Sequence, residues 1–130
     1  MKNKIFKVIS FLFSLLLNNG GLNKYLNYMP VPDNLPEALM KDDQAIREIS
    51  WLLPLVGAAE IIGGFLIMFP KTRAIGALVV FPVMVGVLLT HLTVAPEGLP
   101  IAFVVWMILG WIIWVNRQKY QVLFNQEKVL

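Results

Sequence analysis

An all-α membrane protein, with four transmembrane helices in one bundle and both termini cytoplasmic, is the fold class this sequence predicts. Three observations lead there. First, its 130 residues are 58% hydrophobic and 15% charged, with a mean hydropathy of +0.70. A soluble domain is about 45–50% apolar and about 25% charged, and a chain this small has too little interior to hide the excess. A single membrane domain over 1–130 is the simplest reading. Second, four apolar stretches occupy about 5–28, 49–69, 74–94 and 99–115. About 20 helical residues at 1.5 Å each cross a hydrocarbon core of about 30 Å. Third, the basic residues sort by side. Lys2, Lys4, Lys7, Lys71, Arg73, Arg117, Lys119 and Lys128 fall on one side of the predicted spans, with only Lys24, Lys41 and Arg47 on the other. The positive-inside rule then places both termini in the cytoplasm of a multi-pass cell (inner) membrane protein.

The first stretch invites two readings. Ile5 to Leu17, behind Lys2, Lys4 and Lys7, has the length of a signal-peptide core. The following Asn18, Asn19, Gly20 and Gly21 form no small-x-small cleavage site, and extension to Tyr28 gives a full span ending in Tyr25 and Tyr28. A retained helix is therefore expected. Pro30, Pro32 and Pro36 then break the chain. Pro36 suits a first helical position and Glu37 a first turn. Leu39, Met40, Ile46 and Ile49 alternate with charged residues, as in a short amphipathic helix on the outer surface or a solvated connector. The third stretch contains Pro82, which removes the donor for the Leu78 carbonyl and often bends a helix. The fourth is short, but Trp111 and Trp114 can sit at the interface. Trp51 belongs to the same belt, and Trp106, in mid-helix, is expected to pack.

Glu60 stands alone among apolar residues, Gly and Pro between Trp51 and Phe69. An intramembrane carboxylate costs roughly 2.5–3.5 kcal/mol on insertion scales unless it finds a partner, water or a proton, so it marks a candidate functional site. Rise per residue places Glu60 about 13 Å below the outer face, Asn19 about 13 Å, Asn23 about 7 Å, Lys24 about 6 Å and His91 about 6 Å. Polar groups of three helices thus converge in the outer half of the membrane, with Thr90 beside His91. Similar depths suggest a Lys24–Glu60 ion pair. Each residue also has a structural reading: Asn19 and Asn23, at i, i+4, as hydrogen-bonding glue between helices, Lys24 as a snorkelling anchor, His91 as a packed core residue, and Glu60 as a buried partner of Lys24 or His91. Ala59, Gly63 and Gly64 would let a neighbouring helix approach closely.

The absences bound the chemistry. With no cysteine and one histidine, disulfides, thiol redox chemistry, Fe–S clusters and a bis-His haem within one subunit are excluded. Glu60 and His91 supply at most two ligands of a metal site, so no metal is expected. No nucleophile triad or phosphate loop is present; Gly63-Gly64 is a packing signature. The net charge of +3 does not indicate nucleic acid, because the basic residues cap apolar runs.

Gly20-Gly21-Leu22-Asn23-Lys24-Tyr25, the Pro54 to Leu66 segment around Glu60, and Leu88-Leu89-Thr90-His91 followed by Pro96-Glu97-Gly98-Leu99-Pro100 are more telling in their order and spacing than singly. Through them the chain resembles the DoxX and DoxX-like family of small four-helix membrane proteins. The resemblance spans nearly the whole chain, by short motifs of moderate specificity. It implies that Asn23, Lys24, Glu60 and His91 lie where that family keeps polar residues. It also implies kinship with subunits of thiosulfate:quinone oxidoreductases and of membrane complexes handling oxidative stress. Without cysteine, thiol exchange does not carry over, and sulfur oxidation belongs to complexes rather than to one small subunit.

Three functions follow as expectations. The leading one is an accessory or scaffold subunit of a membrane complex, set in the lipid bilayer with a protein partner or as a homo-oligomer. A second is a quinone-associated redox subunit: no cofactor motif is evident, but His91, Lys24 and Asn23 could donate to quinone carbonyls and Glu60 could relay protons. A third is a small proton-coupled carrier.

Overall fold

The computed structural model describes residues 2–125. Lys128, one of the basic residues behind the expected orientation, lies outside the described residues. Among those residues the chain forms six α-helices and no strand: α1 Lys2–Leu26, α2 Glu37–Glu48, α3 Leu52–Met68, α4 Arg73–Thr93, α5 Leu99–Val115 and α6 Arg117–Phe124. A 3₁₀ turn, Pro96–Gly98, leads into α5. Asn3–Leu26, Arg73–Thr93 and Pro96–Val115 are each long and apolar enough to cross a membrane. The bent pair of α2 and α3 makes a fourth candidate span.

The first helix ends two residues short of the expected Tyr28. Asn27 takes the left-handed conformation, with φ 51°, and its N–H donates to the Asn23 carbonyl at 2.8 Å. Asn is among the few residues that tolerate this geometry, which commonly closes a helix. The chain then folds back, and the Tyr28 hydroxyl donates to the Asn19 carbonyl at 2.9 Å and contacts the Asn19 side-chain oxygen.

The segment expected to be either an amphipathic helix or a connector is helical, as α2. It meets α3 at 93°. Its alternation of apolar and charged residues is the pattern of a helix with one apolar face. Helix α6 was not anticipated, because the tail carries too few apolar residues to announce itself. It is docked by the Tyr120 hydroxyl on the Ala74 carbonyl at 2.8 Å and by Lys119 on the Pro70 carbonyl at 3.3 Å.

The long helices pack α1 on α3, α3 on α4 and α4 on α5. Glycine sets the first two contacts. A Cβ on Gly21 would lie 2.7 Å from the Gly57 carbonyl oxygen, and one on Gly57 would lie 3.2 Å from that of Gly21. Gly76 backs onto the Gly63 carbonyl and the Ile67 amide, each 2.7 Å from where its Cβ would be. Backbones this close exclude any larger side chain. Between the helices a core forms from Phe13, Leu17, Ile67, Val80, Met84, Leu109 and Ile112.

Arg73, read from the sequence as a topological charge, is only 6% exposed. Its Nε donates to the Ile67 carbonyl at 2.9 Å, while the Thr72 hydroxyl donates to Leu66 at 2.6 Å. Both satisfy carbonyls that the end of α3 leaves without partners. Pro82 and Trp106 sit inside α4 and α5. The Trp106 indole packs edge-on against Phe81 and donates to the Met84 carbonyl at 3.0 Å, the packing role expected for it.

Candidate functional site

The site lies where the C-terminal end of α1, the first turns of α3 and the last turns of α4 meet. The glycine contact of α1 with α3 brings Lys24 beside Glu60. Lys24 Nζ donates to Glu60 Oε2 at 2.8 Å, with the two side chains 24% and 7% exposed. A Cβ on Gly20 would stand 3.3 Å from the same oxygen, so Gly20 leaves room for the carboxylate. Lys24 also lies 3.5 Å from the Gly20 carbonyl, leaving donor capacity on its ammonium. The pairing expected from depth alone is present.

A cavity of about 390 Å³ opens beside this pair. Lys24 and Glu60 border it, and Val56, Val83 and Val87 make apolar walls. Thr90 and His91 line it from α4. Helix α2 contributes Leu39, Asp42, Asp43 and Ile46. Asp43 is paired with Arg47 at 2.8 Å on the exposed face of α2; Asp42 makes no ion pair among the described residues, so that edge of the cavity is acidic.

The Thr90 hydroxyl donates to the Gly86 carbonyl at 2.9 Å, which leaves its lone pairs for a guest. His91 Nδ1 lies 2.7 Å from the Val87 carbonyl. A carbonyl only accepts, so Nδ1 is the donor. The imidazole rests against Gly98, where no side chain would fit.

Two expected members are elsewhere. Asn19 is exposed and engages Tyr28 and the Met29 sulfur, the latter at 3.4 Å. The Asn23 side-chain oxygen accepts the Met29 N–H at 2.8 Å. Neither borders the cavity, and neither bonds from one long helix to another. The reversal at Asn27 lays residues 28–29 over the face that carries them, so they stabilise that turn. Conversely, the sequence did not single out Gly86 or the α2 residues as parts of the site. The amphipathic pattern of α2 was visible, but a pattern does not say what a helix covers. Among the described residues no three His, Asp or Glu side chains gather as a metal-ligand set.

No family model matches the chain. Among curated proteins it is similar to "Uncharacterized protein YwoB" of Bacillus subtilis (strain 168), at 26% identity over 76 residues, 57% of this chain and 48% of that protein. The chain thus spans about half the length of the relative it matches. No solved structure matches it significantly.

Proposed function

We propose that this chain is an accessory subunit of a membrane complex, a four-helix DoxX-like bundle with both termini cytoplasmic, whose pocket beside Lys24 and Glu60 binds a small amphipathic molecule. The observation that carries this reading is the juxtaposition of a partly buried ion pair with an open cavity of about 390 Å³. Ligand pockets typically enclose about 300–1,000 Å³, mostly apolar with a few convergent polar groups. A pair serving only to join α1 to α3 needs no cavity beside it.

The chemistry favours an uncharged, flat head group with carbonyl acceptors, of which a quinone is the natural example. Lys24 has an N–H to offer such a carbonyl, the valine walls suit a ring, and Glu60 and His91 are groups able to hand on protons. A bound quinone would supply the electron chemistry; this chain would bind it, orient it and hold protons, and a partner would supply the electrons. The DoxX-like resemblance points the same way.

A second reading, a purely structural scaffold, is favoured by the Gly21–Gly57 contact, which the Lys24–Glu60 pair fastens. Mass spectrometry of organic extracts from mildly purified protein separates the two. A stoichiometric quinone in wild type, lost in Glu60→Ala and His91→Ala, supports the ligand site. No specific small molecule, with variants that are merely less stable, supports the scaffold. Substrate-dependent proton flux in liposomes would instead identify a carrier.

A further inference from the structure

The opposite end of the molecule carries a second feature that the pocket does not explain. Helices α1 and α5 scarcely touch along their length. Between them lies a cavity of about 730 Å³, bordered by Leu12, Phe13, Leu16, Val104, Met107 and Trp111 and almost wholly apolar. Trp111 also borders a second cavity of about 450 Å³ that includes Asn3, Phe6, Trp114 and Arg117. The two spaces therefore meet at one indole, apolar along the helices and polar at their end.

Cations are stacked into this junction. The Arg117 guanidinium lies 4.4 Å from the Trp114 ring centroid and donates to the Trp114 carbonyl at 2.8 Å. That bond uses one of its five N–H groups. The Phe6 ring meets Trp111 edge-on at 5.1 Å between centroids, and Arg73 stacks on Phe6 at 5.2 Å. Lys4 and Lys7 stand exposed on the same first turns of α1. From Phe6 to Leu16 the groove follows α1 for about 15 Å, half of a hydrocarbon core of about 30 Å.

We propose that this composite groove is a binding site for one anionic phospholipid, with the phosphate at Arg117 and Asn3 and an acyl chain along Trp111, Leu12 and Leu16. Charge complementarity selects the head: an arginine fork matches phosphate oxygens, and among the described residues no carboxylate borders either cavity. The depth selects the tail, because the groove ends about one leaflet from the basic end. The site is separate from the Lys24–Glu60 pocket and rests only on the chain residing in a membrane.

The test is native mass spectrometry of the full chain, delipidated in detergent, with equimolar dioleoyl phosphatidylglycerol and dioleoyl phosphatidylethanolamine. Wild type is expected to retain one phosphatidylglycerol per chain. Arg117→Gln should lower that preference about fivefold. Val104→Trp, which fills the groove without altering charge, should lower retention of both lipids. Equal retention of the two lipids by wild type, or a preference unchanged in Arg117→Gln, overturns the proposal. So does a dimer whose α1–α5 faces cross-link while no lipid is bound, since a second copy would then occupy the groove. Recovery of the chain in the soluble fraction of cells would defeat the membrane reading itself and is read separately from these outcomes.

Discussion

Glu60 and Lys24 are ion-pair partners across α1 and α3, 2.8 Å apart. Removing one leaves the other poorly solvated, at a cost of ~2 kcal/mol once the partial exposure of Lys24 is allowed for. Glu60→Ala and Lys24→Ala should each destabilise by about that amount in detergent unfolding, and the double variant by clearly less than the sum. Strict additivity would mean that the pair makes no net contribution. This partnership was legible in the sequence because depth in a spanning helix follows from counting residues. Asn19 and Asn23 bond Tyr28 and Met29 instead of bordering the cavity, because counting residues along a helix has no term for a chain that turns back at Asn27. His91 and Thr90 do border the cavity; which carbonyls they bond depends on α4's own geometry.

At the scale of elements, glycines divide into those that set a contact and those that do not. Gly21→Leu would drive a side chain into the Gly57 carbonyl and Ile61, and should cost about 3 kcal/mol or prevent the protein accumulating. Gly110, whose Cβ would meet nothing within 4 Å, should accept alanine with a gain of about 0.5–1 kcal/mol from helix propensity. Thermal unfolding of the two variants side by side checks both signs. Helix α6 offers a pH test. Burial raises the Tyr120 phenol above its ordinary value of 10.0. The unfolded chain therefore ionises first, and the stability that Tyr120 contributes is present below about pH 10 and lost as pH rises through the folded value. Proteolysis near α6 should accelerate over that range in wild type, and Tyr120→Phe should remove the pH dependence. Hydrophobic runs announce spanning helices because lipid demands them; α2 and α6 are fixed by tertiary contacts that no local pattern states. Only the Pro36–Glu37 start and amphipathic face of α2 were readable beforehand.

For the whole molecule, the apolar composition carried the all-helical class, since helices are what lipid requires of a small apolar sequence without closed strands. Packing order was not readable, because it follows from which glycines face which backbone. The chain should remain with membranes after alkaline carbonate extraction. A cytoplasm-only reporter fused after Leu130 should be active; a dark reporter on an expressed fusion would reverse the orientation.

If Lys24 and Glu60 border a ligand site, the space beside them exists to be filled. Gly86 borders that space, and a Cβ there would meet nothing within 4 Å. Gly86→Leu should therefore fold at least as well as wild type while occupying the cavity. The decisive measurement is thermal stability of wild type and Gly86→Leu in detergent with a short-chain, water-soluble quinone added. Wild type should show a saturable rise, approaching about 2.7 kcal/mol at a hundredfold excess over Kd, and Gly86→Leu none. No rise in folded wild type, or the same rise in both proteins, would contradict a ligand site there.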